Sequence, residues 1–542
     1  MVTDASTPAA APKRSSRWRK IRIALLVLTA GIVCALIAGE ILLRIAIFHP
    51  SPMLGRLGWR LGQPRMYTNC DNDDDYWKLS CKLQGEAALD GTPNPDLITG
   101  WTGTDIEPGS YEHIDEASLR GRRPVLLYGD SFAQGVTQVK DSFQALFERS
   151  ELADRYAMLN YGVGGYGLDQ IYLLLENSID RFKDRDPIVI VAILVESDLE
   201  RSVLEFRSWP KPRLDVVGDR LVARGPVQTD IRKYLAENPI SIRSYLWQLF
   251  LHSRLDFLAS QRAAWRKDPE IKAEKQVLDR GILLEIERSL SSRKLQHFFL
   301  VFHVESCAVK PDGLYEWQEA LIHDVCVQSS IPLVDTRPFL SFAADAVQKN
   351  CEQFYIKAGP VQSHHNAIGN LICFEAMAQG LRGNFAAPDM APLADLKARG
   401  LLQKSGPETM ATTLLGRAAV LITFGTEGRS FATETAKPRR FLLRSDALGA
   451  TKARIDLSGT ARRFSGRLHT MMNPNEGCAG TELRLIIRLD GEISLERSVP
   501  GTAHELALDL DLVGKQSLEF TVEGNRGSGN CNWICIEDPE LD

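Results

Sequence analysis

The sequence predicts an α/β domain built on a parallel sheet, followed by an all-β sandwich, both carried behind one membrane-spanning helix. Three observations lead there. Between residue 123 and about 385, short apolar runs alternate with helical patterns, the signature of successive βαβ units. From about 413 to 542 the text changes to short period-two runs separated by turns such as Asp490-Gly491, as in antiparallel sandwiches. Ahead of both lies a long apolar stretch behind a basic flank. With 542 residues, 44% hydrophobic and 25% charged, the chain has room for about two or three domains.

Residues 1–20 are rich in Ala, Pro and Ser and carry Lys13, Arg14, Arg17, Arg19 and Lys20, which predicts a disordered basic tail. After Arg22 an uncharged run extends from Ile23 to Gly39, and apolar character resumes from Ile41 to Phe48 around Glu40 and Arg44. As one helix, Ile23 to Phe48 spans about 39 Å, ample for a hydrocarbon layer of about 30 Å. Glu40 and Arg44 stand i,i+4 and are expected to pair near the far interface. No small-residue cleavage site follows a short apolar core, so residues 21–48 are read as a retained signal anchor. Basic residues before the span place the N-terminus in the cytoplasm and the rest of the chain outside.

Residues 49–122 are punctuated by Gly and Pro and read as an irregular lead-in segment. The sheet of the 123–385 domain is predicted from Val125–Tyr128, Tyr156–Asn160, Ile188–Val195, His297–Val304 and Ile331–Val334. These are nearly unbroken apolar runs, as strands covered on both faces require. A long excursion at about 200–285 separates the third from the fourth. It contains a hairpin pattern around Gly218-Asp219 and helical text through Tyr245–Phe250. A linker at about 386–412 precedes the sandwich, whose strands are expected at Ala419–Thr423, Ala453–Leu457, Arg463–His469, Leu483–Leu489, Leu506–Leu510 and Leu518–Val522.

A formal net charge of −5, with no basic cluster outside the N-terminus, excludes a nucleic-acid partner. Of ten cysteines, Cys34 lies in the span and nine would stand where disulfides persist. Candidate pairs are Cys70 with Cys81, Cys307 with Cys326, and Cys478 with Cys531 or Cys535, while Cys373 is expected to be free. No Cys/His spacing suggests zinc, so neither a metal nor a cofactor is expected.

The chemistry centres on Gly129-Asp130-Ser131, an abrupt turn between an apolar strand and a helical pattern. A serine there sits at the carboxyl end of a sheet, where open α/β folds place their ligands, beside the N–H groups of a helix start. Three further stretches supply what a nucleophilic serine needs. Asn160-Tyr-Gly162-Val-Gly164-Gly165 offers Gly165 as a backbone oxyanion donor; its glycines miss the dinucleotide spacing. Ser197-Asp198 ends the third strand, with Ser197 able to donate into the same pocket and Asp198 to brace the loop. His364-His365-Asn366 precedes a helical pattern after the last strand, so His364 can reach back over the sheet edge as general base.

Together these blocks resemble the SGNH (GDSL-type) hydrolase superfamily, over about residues 123–385. The span ending Glu40-Ile-Leu-Leu-Arg44 and the segment from Lys211-Pro-Arg-Leu to Leu221 are similar to its membrane-anchored bacterial branch. The resemblance implies a flavodoxin-like three-layer fold, Ser131 as nucleophile and His364 as base. The oxyanion hole would be made by the N–H groups of Ser131 and Gly165, with the family's third donor at Ser197. Asp130, Gln362 and Asn366 take supporting positions. Two positions depart from the family. Ser197 stands where an Asn is usual, and Gln362 and Val361 stand where the triad's Asp is usual. Gln362 can orient an imidazole but cannot stabilise its charge; Glu352 or Asp335 are the alternative acids, and His365 the alternative base. The C-terminal text, including Phe464-Ser-Gly-Arg-Leu, Val513-Gly-Lys-Gln and Trp533, resembles the NPCBM carbohydrate-binding family, a jelly-roll-like sandwich in which Trp533 can serve as a sugar platform.

The resemblances imply an esterase tethered to the bacterial inner membrane, facing the periplasm or exterior, that removes O-acetyl or other acyl groups from a glycan or envelope polysaccharide. An O-acyltransferase on the same glycans, or an inactive glycan-binding or assembly protein, are the alternatives. Restoring the family residues separates them. Gln362→Asp combined with Ser197→Asn is expected to raise ester turnover in a weakened enzyme, since one lost oxyanion donor alone can cost about 10²–10³ in rate. A binding protein would keep its glycan affinity and gain no turnover.

Overall fold

The computed structural model describes residues 15–49, 55–84, 94–137, 141–218, 220–253, 258–305, 316–356, 363–402, 412–413, 419–424, 440–444, 451–457, 461–471, 482–500, 506–524 and 533–541. The N-terminal stretch is one continuous helix, α1 (Ser15–Phe48). It is apolar and long enough to cross a bilayer from Trp18 onward, and that window is not buried inside the protein. Glu40 and Arg44 pair at 2.7 Å, as their spacing predicts. The lead-in segment is less irregular than expected: Asp74–Gln84 forms a helix, α2. Asp74 and Asp75 occupy its first turn, where the helix dipole favours negative charge, so acidic text read as a loop is a helix start.

Five strands make one parallel sheet: β1 (Arg123–Gly129), β2 (Tyr156–Gly162), β3 (Ile188–Leu194), β4 (Gln296–Phe302) and β5 (Leu333–Asp335). Their spatial order is 2-1-3-4-5, the order of flavodoxin-like sheets. All four pairings are parallel, with Val125 opposite both Met158 and Ile188, Gln296 opposite Ile188, and Phe299 opposite Leu333. Between the strands run α3 (Ser131–Gln134), α4 (Phe143–Glu148), α5 (Leu168–Ser178), α6 (Val195–Arg201), α7 (Tyr245–Leu251), α8 (Ala259–Trp265), α9 (Asp268–Ser292) and α10 (Glu316–Ser329), and after β5 follow α11 (Arg337–Ala346) and α12 (Ala367–Leu381).

Side chains alternate across the strands and so feed two cores. Val125, Leu127, Ile190 and Leu300 face α4, α11 and α12, while Leu126, Tyr128, Val191 and Val301 face α5, α9 and α10. The sheet is therefore the middle of three layers, which is why its strands read as unbroken apolar runs.

The long excursion after β3 is divided. The expected hairpin is present, Leu214–Val217 against Arg220–Ala223, with Val217 opposite Arg220. The end of the excursion, however, is α9, the crossover helix that carries the chain back to β4 and buries Leu278, Ile282, Leu283 and Ile286. One buried ion pair pins the hairpin's approach to the body. Lys211 Nζ meets the Asp169 carboxylate of α5 at 2.5 Å and also reaches the carbonyls of Arg201, Leu204 and Pro212.

Residues beyond 412 form a six-stranded and a four-stranded antiparallel sheet. Ile455, Leu485 and Phe520 from one, and Phe464, Leu468 and Ile536 from the other, belong to one core. All six expected strands are present, along with Arg440–Arg444, Glu492–Pro500 and Trp533–Leu541. The last of these hid because it contains Pro539, which lacks a ladder N–H; the pairing with the neighbouring strand shifts register there, between Ser465 and Arg467.

The cysteine expectations need correction. Cys34, Cys70, Cys81, Cys326, Cys351 and Cys373 are all free thiols. Cys70 turns to the Asp71 carboxylate at 3.4 Å, whereas Cys81 faces inward from α2 toward the Ser208 carbonyl at 3.7 Å. The segment between them is held instead by α2, whose Trp77 Nε1 donates to the Cys70 carbonyl at 2.9 Å. Cys326, on α10, is packed into the core. Cys307, Cys478 and Cys531 lie outside the described residues. Cys373 is free and buried, as expected.

Lys211 and Asp169 have no exposed side-chain surface. Lys211→Met leaves an uncompensated buried carboxylate and should cost about 3–5 kcal/mol of stability, whereas Lys211→Met with Asp169→Leu should recover most of it. Denaturant unfolding of the full chain in detergent measures both; a single variant as stable as the parent contradicts this role.

Candidate active site

The carboxyl edge of the sheet gathers the predicted residues. β1 ends at Gly129, and α3 begins at once with Ser131 at its first position. Asp130 is the N-cap: its Oδ1 accepts from the Phe132 N–H at 2.8 Å, and its Oδ2 lies 3.4 Å from Ser131 Oγ. The cap satisfies one of the free N–H groups at the helix start and fixes the turn on which the serine stands.

The glycine loop after β2 runs alongside this turn. A Cβ on Gly162 would stand 2.3 Å from the Gln134 backbone nitrogen, so only glycine lets the two segments meet. Asn160 ties them together, donating to the Ala133 carbonyl at 2.8 Å and accepting from the Gly162 N–H at 2.8 Å. Gly165 adopts φ +84°, the left-handed region natural to glycine, and its carbonyl accepts from Arg207 Nη1 at 3.1 Å.

His364 is brought to the serine from 233 residues away. Its Nε2 lies 2.7 Å from Ser131 Oγ. Ser363, at φ +70°, turns the chain, and the Ile356 N–H donates to the His364 carbonyl at 2.8 Å. Phe132 stacks on the imidazole with ring centroids 4.8 Å apart. Asn366 acts from behind: it caps α12, accepting from the N–H groups of Ile368 and Gly369 at 3.0 and 3.1 Å, and donates to the Gln353 carbonyl at 2.6 Å. Gln362 lies outside the described residues.

The alternative base and one alternative acid are engaged elsewhere. His365 is buried among Phe132, Phe302 and Tyr355. Burial first, and then the charges of His364 and His303, push its pKa down to about 3, so it is a neutral core side chain. Asp335 pairs with His303 Nε2 at 2.9 Å. Burial opposes its charge, but that hydrogen bond and the Arg337 N–H hold it below the ordinary carboxylate range.

Beside the serine, α6 places Ser197 in its first turn, half-buried, and Asp198 fully buried. Asp198 accepts from the Leu194 N–H at 2.8 Å. Burial, then the nearby Asp130 charge, raise the Asp198 pKa well above the ordinary value. Arg201 bridges the pair, its Nη1 standing 3.2 Å from each carboxylate and 2.7 Å from the Tyr166 carbonyl. A sequence reading confined to nucleophile, base and donors missed Arg201, Arg207 and Phe132. The signal for Arg201 was its i,i+3 spacing from Asp198 on one helix face.

The geometry suits proton transfer from Ser131 Oγ to His364 Nε2 at a helix start, the arrangement of an activated nucleophile. It also assigns an acid sensitivity to His365. Below about pH 6.5 the unfolded chain protonates there, and the folded chain does so only near pH 3. This residue therefore makes stability fall as pH drops through that window. His365→Phe should flatten that part of the stability–pH curve, and denaturant titrations across the window measure it. Parallel curves for variant and parent contradict it.

No family model and no curated protein sequence matches the chain. Among solved structures, a two-domain esterase (CEX) active on acetylated mannans, co-crystallised with mannopentaose, is 10% identical over 78% of this chain and 93% of its own, with a TM-score of 0.28. The acetyl xylan esterase AlAXEase is 12% identical over 48% of this chain and 99% of its own, with a TM-score of 0.28. A CBM51 module from Clostridium perfringens GH95, in complex with methyl-galactose, is 13% identical over 23% and 81%, with a TM-score of 0.16. With similarity at this level, the fold rests on the strand order and paired cores described above.

Proposed function

We propose that the chain is a serine esterase that removes acyl groups from a glycan at a membrane surface. The observation that carries this reading is the 2.7 Å contact between His364 Nε2 and Ser131 Oγ at the first position of a helix. Ser131 Oγ attacks the ester carbonyl as His364 takes its proton. The tetrahedral oxyanion is held by the N–H groups of Ser131 and Gly165 and by the Ser197 hydroxyl. Collapse breaks the bond to the sugar oxygen, which leaves with the proton from His364, and an acyl group remains on Ser131. Water, deprotonated by the same imidazole, then releases the carboxylic acid. A sugar hydroxyl in place of that water gives acyl transfer through the same atoms.

In this reading residues 123–385 carry the chemistry and residues 413–542 carry a glycan-binding, jelly-roll-like unit. The glycan preference draws on the resemblance of the C-terminal text, with Trp533, which opens the last strand, as the sugar platform. Helix α1 is the inner-membrane anchor, its basic end in the cytoplasm. Stacking on Phe132 and the Ile356 N–H donated to its carbonyl help hold His364 in place.

Acetate release from acetylated glycans by the full chain in detergent tests the reading. Ser131→Ala and His364→Ala should each lower turnover by about 10²–10⁴. Equal acetate release by parent and Ser131→Ala sinks it.

A further inference from the structure

Helix α1 does not leave the body as a free tether. Leu43, Ala46 and Ile47 are buried, and Leu43 and Ile47 share a small core with Tyr67, Leu79 and Tyr245. Glu40 accepts from Ser244 Oγ at 2.9 Å and from the N–H groups of Tyr245 and Leu246 at 3.0 and 2.9 Å, all at the start of α7. Arg44 donates to Glu40 and to the Arg243 carbonyl, and its guanidinium lies over the Tyr245 ring. The height of α7 along α1 is therefore fixed by charge-assisted hydrogen bonds rather than by a linker.

That height can be compared with a bilayer. Counting from Ile23, just after the last basic residue, a hydrocarbon layer of about 30 Å takes about 20 residues of helix and ends near Leu42. Ile41, Leu42 and Ile45 are still about half exposed there. Helix α7 is thus joined to α1 within one turn of the hydrocarbon boundary. Its two sides point opposite ways along α1. Tyr245 packs on Phe48, farther out, whereas Leu246 lies 3.7 Å from where a Cβ on Gly39 would stand, nearer the span. By the 3.6-residue period Phe250 falls beside Leu246, and Trp247 falls nearly opposite Tyr245.

On that side an aromatic cluster is uncovered. Trp247, Phe250 and Trp265 of α8 lie with ring centroids 5.3, 5.6 and 6.1 Å apart. Trp247 is 48% exposed and Trp265 53% exposed, and Arg243, just ahead of α7, is exposed as well. Tryptophan is the residue that membrane interfaces select, because its ring is apolar while its N–H stays among headgroups. We propose that α7 and α8 form an aromatic foot that inserts into the outer headgroup layer of the bilayer α1 crosses, fixing the orientation of the body. The inference rests on reading α1 as a membrane span. Its occupant is the lipid surface, argued from continuity of the patch with the span.

The test uses the full chain in phospholipid nanodiscs, in a Trp18→Phe background that silences the ring at the other end of α1. Nitroxide-labelled lipids carry the quencher at shallow or deep positions. Shallow label should quench tryptophan fluorescence more than deep label, and Trp247→Phe with Trp265→Phe should remove most of the shallow quenching. Equal shallow quenching in parent and variant overturns the foot. So does a Trp247/Trp265 signal that answers to added oligosaccharide but not to lipid, which would assign the rings to a sugar. Carbonate extraction of the same membranes separates the two readings. A chain that washes off removes the span and the foot together; a chain that stays without the quenching difference removes the foot alone.

Discussion

The site is organised around one buried carboxylate. Asp130 must accept the Phe132 N–H to hold Ser131 on its turn, and it does so where water is nearly absent. An isolated charge there would be costly, so its surroundings are constrained. Arg201 answers the charge and bridges to the buried Asp198 beside it. The same guanidinium holds the Tyr166 carbonyl, at the end of the glycine loop. Nucleophile turn, glycine loop and α6 are thus bound through a single charge and cannot be adjusted independently. Arg201's carbonyl in turn accepts from Lys211, which carries the constraint to the edge of the excursion.

The strands of the sheet were legible because they are covered on both faces, and coverage leaves apolar runs. Each of the five lies within a few residues of its predicted place. What was hidden has physical causes. Helix α2 begins with two aspartates whose charge suits a helix start but reads as loop. Strand Glu492–Pro500 alternates charged with apolar residues at a sheet edge, and Trp533–Leu541 holds a proline at a register shift. The thiols misled for a different reason: spacing along the chain says nothing of direction, and Cys81 points into the body while Cys70 does not.

At the site, residue types chose the participants and packing chose among them. Two adjacent histidines are equivalent on paper. In the fold, His364 faces Ser131 while His365 is buried among three aromatic rings and kept neutral. Asp335, a plausible acid by type, belongs to His303. Arg201 and Phe132 went unnoticed because a guanidinium that neutralises a cap and a ring that supports an imidazole carry no motif of their own. The same holds for the pairing of Glu40 with α7. Its i,i+4 partner was readable, but its role as a cap on a helix 204 residues later was not.

The central claim is that Ser131 is an activated nucleophile served by His364. Covalent labelling of the full chain with a fluorophosphonate, followed by mass spectrometric mapping, tests it most directly. The account predicts a single adduct on Ser131 whose formation slows sharply in His364→Ala. Labelling that spares Ser131, or that proceeds equally fast without His364, would contradict it.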